Sequence, residues 1–132
     1  MAFKFESLQV WQKAIELIDL VNHVSKKFPA DELFVLSSQI RRAADSVALN
    51  IAEGSTGQSN SEFGRFLGIA VRSNIEVVAC IIIARRRCII NENEFNQIDH
   101  LCEVLLLMIS SLRNRLRKQR LVQDNSRQKT IR

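Results

Sequence analysis

A chain of 132 residues, 46% apolar and 25% charged, has the bulk for one globular domain that buries roughly two thirds of its unfolded surface. One Pro and four Gly give too little turn material for an all-β fold of this length, so helices are the default. The net charge of +5 is unevenly placed: residues 1–112 carry 11 Lys/Arg against 13 Asp/Glu, whereas residues 113–132 carry 8 Lys/Arg against one Asp.

In chain order, Leu8, Trp11, Ile15, Ile18 and Val21 recur every three or four positions and predict a first amphipathic helix over 8–24. It should stop before Phe28-Pro29, because proline disfavours helical geometry in the residue ahead of it. A second helix is expected from about Asp31 to Glu53, with Leu33, Leu36, Ile40, Ala43, Val47 and Ile51 as its stripe and Gly54 as its stop. Gly54 to Asn60 is the flexible loop. Ser59 and Glu62 then form a capping box that opens a third helix reaching about Ile90. A second box, Asn91 with Glu94, opens a fourth, whose stripe is Phe95, Ile98, Leu101, Cys102, Leu105, Ile109, Leu112 and Leu116. The fold class that follows is all-α, an antiparallel up-down-up-down four-helix bundle over residues 1–120, with 121–132 as a basic, disordered tail.

The third helix is apolar on two sides. Phe63, Phe66, Leu67, Ala70, Val77 and Ile81 share one face, while Ile69, Ala79, Cys80, Ile82 and Ile83 lie largely opposite. Such a helix needs cover on both sides, which predicts self-association. No membrane is expected, since the longest apolar run, Val77 to Ala84, is short and the N-terminus lacks a signal-like apolar region. Three cysteines without C-x-x-C spacing, Cys80, Cys88 and Cys102, read as buried thiols of a cytoplasmic protein.

Between Gln39 and Gly54, the residues Gln39, Arg42, Ser46, Asn50 and Glu53 align as a polar strip beside the apolar stripe. The reading preferred here is a hydrogen-bonded strip that sets helix register or a subunit interface; the alternative is a ligand or catalytic groove. Arg41 and Asp45 form an outward i, i+4 pair. His23 and His100 stand on different helices without a nucleophile or metal pattern, and Gly54-x-x-Gly57 lacks the strand and Lys of a phosphate loop, so no enzyme activity, cofactor or metal is expected.

The strip lies in a segment, Q-I-R-R-A-A-D-S-V-A-L-N-I-A-E-G from Gln39 to Gly54, that resembles the four-helix-bundle proteins encoded by intervening sequences of bacterial 23S rRNA genes, also described as ribosomal-protein-like. Further matching stretches are Phe5 to Ala14 (F-E-S-L-Q-V-W-Q-K-A), Phe28-Pro29 with Glu32, and Arg65-Phe-Leu-x-Ile-Ala70 with Ser73 and Glu76. The departures are Asp45 where an apolar residue is usual, Ala48 for proline and Arg72 for glycine. Similar proteins include the accessory protein of diversity-generating retroelements, a pentameric barrel that binds a reverse transcriptase and nucleic acid. The resemblance implies a ring-like homopentamer.

Arg113, Arg115, Arg117, Lys118, Arg120, Arg127 and Lys129 are the candidate nucleic-acid-binding residues, because such clusters bind phosphate backbones by counterion release. Arg85-Arg86-Arg87 is a second basic cluster. With no Tyr, one Trp and seven Phe mostly on core stripes, the chain lacks a base-stacking platform, so contact should be with phosphates of RNA, DNA or a ribonucleoprotein. The rival reading is a protein-interaction scaffold with an incidental basic tail.

Overall fold

The computed structural model describes residues 3–32, 35–57 and 59–131. Four helices carry the fold: α1 Gln9–Ser25, α2 Leu36–Ser55, α3 Asn60–Arg86 and α4 Glu92–Ile131, with 3₁₀ turns at Lys4–Ser7 and Ala30–Glu32. Among the described residues there is no strand. α1 packs on α2 and α4, α2 on α3, and α3 on α4, an arrangement that fits a bundle. The predicted stripe position Leu33 lies outside the described residues.

One core runs through all four helices. Leu17, Val21, Ile40, Val47, Ile51, Leu67, Val77, Ile81, Ile98, Leu105 and Ile109 are essentially solvent-free. The predicted stripes of α2 and α4 face this core. On α1 the buried line is Val10, Ala14, Leu17, Val21 and Val24, while Trp11, Ile15 and Ile18 are half-buried at its edge. The core face is thus rotated by about one residue from the expected one. On α3, Cys80 joins the core, contrary to its assignment to the outer side, and Phe66 is only half-buried.

Helix ends follow local chemistry. Ser59 caps α3 by accepting a hydrogen bond from the Glu62 amide at 3.1 Å. The Asn91 box is complete: the Glu94 amide donates to Asn91 Oδ1 at 2.8 Å and the Asn91 amide to Glu94 Oε1 at 3.0 Å. Gly54 does not stop α2; it lies within the helix, where an added Cβ would sit 2.7 Å from Phe66 Cβ. Its role is close approach of α2 to α3. α3 ends before Ile90 in a Schellman motif, with the Cys88 amide donating to Arg85 O at 3.0 Å and the Ile89 amide to Ala84 O at 2.9 Å. Cys88 takes the left-handed conformation (φ 58°) that this motif requires, and it is exposed rather than buried as expected.

The second departure is α4. Residues 121–131, expected as a disordered tail, continue the helix to Ile131. From Arg113 onward the segment contains neither Gly nor Pro and is rich in Arg, Gln, Lys and Leu, all good helix formers. By length and composition α3 could also cross a bilayer, its most apolar 18-residue window having a mean hydropathy of 2.0. Arg72, Asn74 and Glu76 interrupt this window, so its longest unbroken apolar run is only Val77 to Ala84. In the fold, one face of α3 is core.

Candidate nucleic-acid interface

α4 sheds its packing before it ends. Leu116 is its last buried residue among those described, and every side chain from Arg117 to Gln128 is exposed. At 3.6 residues per turn, Arg113, Arg117, Arg120 and Arg127 fall within about 80° of one another, on the side of α4 toward α3. Arg115 belongs to a different surface, a groove of about 580 Å³ with Ser7, Leu8, Leu107 and Met108. Lys118 is exposed, and its helical position, like that of Lys129, lies outside the arginine face. The seven predicted tail residues therefore do not form one site; three of them do.

Those three meet α3. Arg113, Arg117 and Arg120 line a pocket of about 220 Å³ with Asn60, Ser61, Gly64, Arg65 and Leu116. Arg65 and Arg113 also line a second pocket of about 440 Å³, together with Gly68, Ile69, Val71 and Arg72. Arg65 and Arg72 were not nominated from the sequence. A usable signal was present: Gly64 and Gly68, four apart, leave a side of α3 bare for long side chains from a neighbour. An added Cβ at Gly68 would stand 3.2 Å from an Arg113 guanidinium nitrogen, and one at Gly64 would meet nothing within 4 Å. The Arg65 guanidinium lies 4.6 Å from the Phe66 ring centroid, and Arg120 reaches Ser61 Oγ at 3.5 Å.

No carboxylate lines either pocket. The ion pairs among the described residues, Lys13–Glu16, Lys27–Glu94 and Arg85–Glu92, use none of these arginines. In the Arg85–Arg87 cluster, Arg85 stacks 3.7 Å over Phe95 and faces Glu92 at 3.9 Å, so part of that charge is structural.

The polar strip of α2 borders a groove between α2 and α3, of about 570 Å³, lined by Val35, Ser38, Gln39, Arg42, Ala43, Ser46, Ser73 and Glu76. Among the described residues its middle alone is bonded within the protomer. Asn50 Nδ2 donates to Ser46 O at 2.8 Å and to Ser46 Oγ at 3.0 Å, and Ser73 Oγ donates to Ser46 Oγ at 2.8 Å, which ties α3 to α2. Gln39, Arg42 and Glu53 are exposed, and among the described residues Arg42 has no hydrogen-bond or ion-pair partner. The outward pair is also not formed; Arg41 Nε instead donates to the buried Ser25 Oγ at 2.8 Å.

The buried thiols are poor nucleophiles. Burial, with a smaller contribution from Asp99, pushes Cys102 up to about 12, and burial with Glu76 raises Cys80 to about 11. Among the described residues no group of three or more His, Cys, Asp or Glu is placed to hold a metal ion.

Residues 6–111 match the 23S rRNA-intervening sequence protein family. The chain belongs to that family. A crystal structure of a protein with unknown function from the S23 ribosomal protein family of Bacteroides thetaiotaomicron has a similar fold, with a TM-score of 0.74 and 24% identity, over 79% of this chain and 97% of that one. No curated protein matches the chain. The family match ends just before Arg113, so the pocket joins arginines inside the matched region, Arg65 and Arg72, to arginines beyond it.

Proposed function

We propose that this family member is a non-enzymatic, cytoplasmic, self-associating helical bundle that binds nucleic acid, RNA or a ribonucleoprotein foremost, through backbone phosphates. The observation that carries the reading is the arginine face of α4: Arg113, Arg117, Arg120 and Arg127 on one side of a helix that has left its core, with Asp124 the only acid from 113 to 131. Guanidinium forks suit phosphate oxygens, and a ring of such helices would multiply the attraction. The cyclic adjacency of the four helices supports the up-down-up-down order, and the family resemblance supports a pentameric ring.

A second reading, a protein-interaction scaffold without nucleic acid, draws on a different surface. Ile75, Ile82 and Ile83 of α3 and Leu106 and Leu107 of α4 are exposed apolar residues of the protomer.

Fluorescence anisotropy with RNA and DNA across a salt series separates the two. For phosphate contacts, log affinity falls linearly with log salt, by roughly 0.7 to 0.9 per phosphate. Truncation after Lys118 removes Arg120, Arg127, Lys129 and Arg132 but keeps every buried residue among those described, so helicity should persist while the slope shrinks and binding weakens for all sequences alike. Equal binding by the folded truncated protein at every salt concentration would exclude the tail. Intact protein that binds neither polymer would leave the scaffold.

A further inference from the structure

The two pockets between α3 and α4 adjoin through a shared pair, Arg65 and Arg113. Five guanidiniums thus converge on one face, Arg117 and Arg120 on one flank of the pair and Arg72 on the other, with no carboxylate in either lining. Gathering like charges is unfavourable unless something neutralises them, and no ion pair among the described residues does so. The arrangement is also held in place. Arg65 rests on Phe66, Arg120 on Ser61, and the missing side chain of Gly68 lets Arg113 lie flat against α3. Gly64 leaves open space beneath, and the buried Leu116 closes one wall.

We infer that this face is a phosphate-binding site that takes two neighbouring phosphates, the shared Arg65–Arg113 pair holding one and a flank holding the next. Forked N–H donors from a fixed pair of arginines match phosphate oxygens bidentately, which scattered lysines do not. The site deepens the nucleic-acid reading, on which its natural ligand rests; its anion chemistry stands without it. The phosphates can come from within a polynucleotide backbone or from its phosphorylated end.

The test uses the full-length protein with inorganic pyrophosphate, titrated calorimetrically in chloride buffer at constant ionic strength. One saturable site per chain is expected. Arg65→Gln and Arg113→Gln should each weaken it at least tenfold. Gly68→Leu, which keeps every charge but displaces Arg113, should do the same, with helicity by circular dichroism as the folding control. Lys26→Gln removes one charge at the end of α1 and should change nothing. Absence of saturation, or an equal loss in Lys26→Gln, would reduce the site to general charge attraction and overturn it.

Two RNA oligonucleotides, 5′-phosphorylated and 5′-hydroxyl, complete the test. A loss in Arg65→Gln common to both places internal phosphates in the site, and a loss confined to the phosphorylated one places the end there. Arg65→Gln that loses pyrophosphate yet binds both RNAs as before would overturn the site's role in RNA binding and leave the arginine face of α4 as the RNA contact. Pyrophosphate binding without any RNA binding would overturn the nucleic-acid reading and leave the anion site standing.

Discussion

α3 and α4 are the two longest helices and pack on each other, yet they leave the core in opposite ways. α3 stays in the bundle to its end, is stopped by the Schellman motif at Cys88, and turns Ile75, Ile82 and Ile83 outward. α4 keeps a regular apolar stripe as far as Leu116 and then continues bare and basic. The outside of the protomer is thereby divided between an apolar surface suited to another protein surface and a basic one suited to a polyanion. Burial explains why α3 and the first half of α4 are helical; intrinsic propensity alone explains the second half.

Breaking the apolar side should have the largest effect. Ile83 is 41% exposed in the protomer, so in a monomer Ile83→Asp would cost only about 1 to 2 kcal/mol, from partial loss of apolar burial and a carboxylate near the end of α3. If that side is a subunit interface, an unpaired charge buried there costs several kcal/mol and the assembly should dissociate. Light scattering on both proteins decides this, and a monomeric parent protein would defeat the self-association proposal. Within α4 the contrast can be measured directly. Leu105→Ala, in the packed half, should cost about 2 to 5 kcal/mol by chemical denaturation, whereas Leu121→Ala in the bare half should cost less than about 0.5 kcal/mol. Similar losses at both positions would mean that the second half is also packed in solution.

How much of this was legible depended on whether periodicity had one solution. The stripe of α4 from Phe95 to Leu116 has one, and the fold places those residues against the core. α3 has two apolar sides, so its pattern leaves open which side faces α4; that is why the site role of Arg65 and Arg72, which line pockets with Arg113 across the α3–α4 seam, is not legible in the sequence. Gly54 was recognisable as special but served close packing rather than termination. The polar spacing of the α2 strip was legible, while its exposure was not, since a helical wheel cannot say how far a neighbouring helix reaches. The low apolar content of the tail points to disorder, whereas the helix propensity of the same residues points to the helix that the fold carries to Ile131.

A smaller effect tests how α3 ends. Left-handed backbone costs an L-residue roughly 1 to 2 kcal/mol, and glycine avoids that cost while gaining freedom in the unfolded chain. Cys88→Gly should therefore stabilise the protein by up to about 1 kcal/mol, seen as a higher denaturant midpoint with an unchanged slope. The parent protein should react with a thiol reagent at Cys88 well before Cys80 or Cys102, because only Cys88 is exposed and the other two are held protonated by burial. Equal labelling of all three under native conditions would contradict the packed core around Cys102.

The smallest effect on the protomer is expected at Arg42, and it bears on whether the apolar face of α3 and the neighbouring polar groove belong to one interface. Arg42 is exposed in the groove that also holds Glu76, and among the described residues it makes no hydrogen bond or ion pair within the protomer. Arg42→Ala should thus leave the unfolding of dissociated protein within about 0.5 kcal/mol of the parent. If a second subunit covers the groove, the same change leaves a polar partner unsatisfied there and weakens assembly by about 1 to 3 kcal/mol. Thermal unfolding at two well-separated protein concentrations, with sedimentation at each, distinguishes these terms. A loss of stability that appears only where the protein is assembled assigns the strip to the subunit interface. A loss independent of concentration would show that Arg42 acts within its own chain, and unchanged stability and assembly with a lost binding activity would make the groove a ligand site.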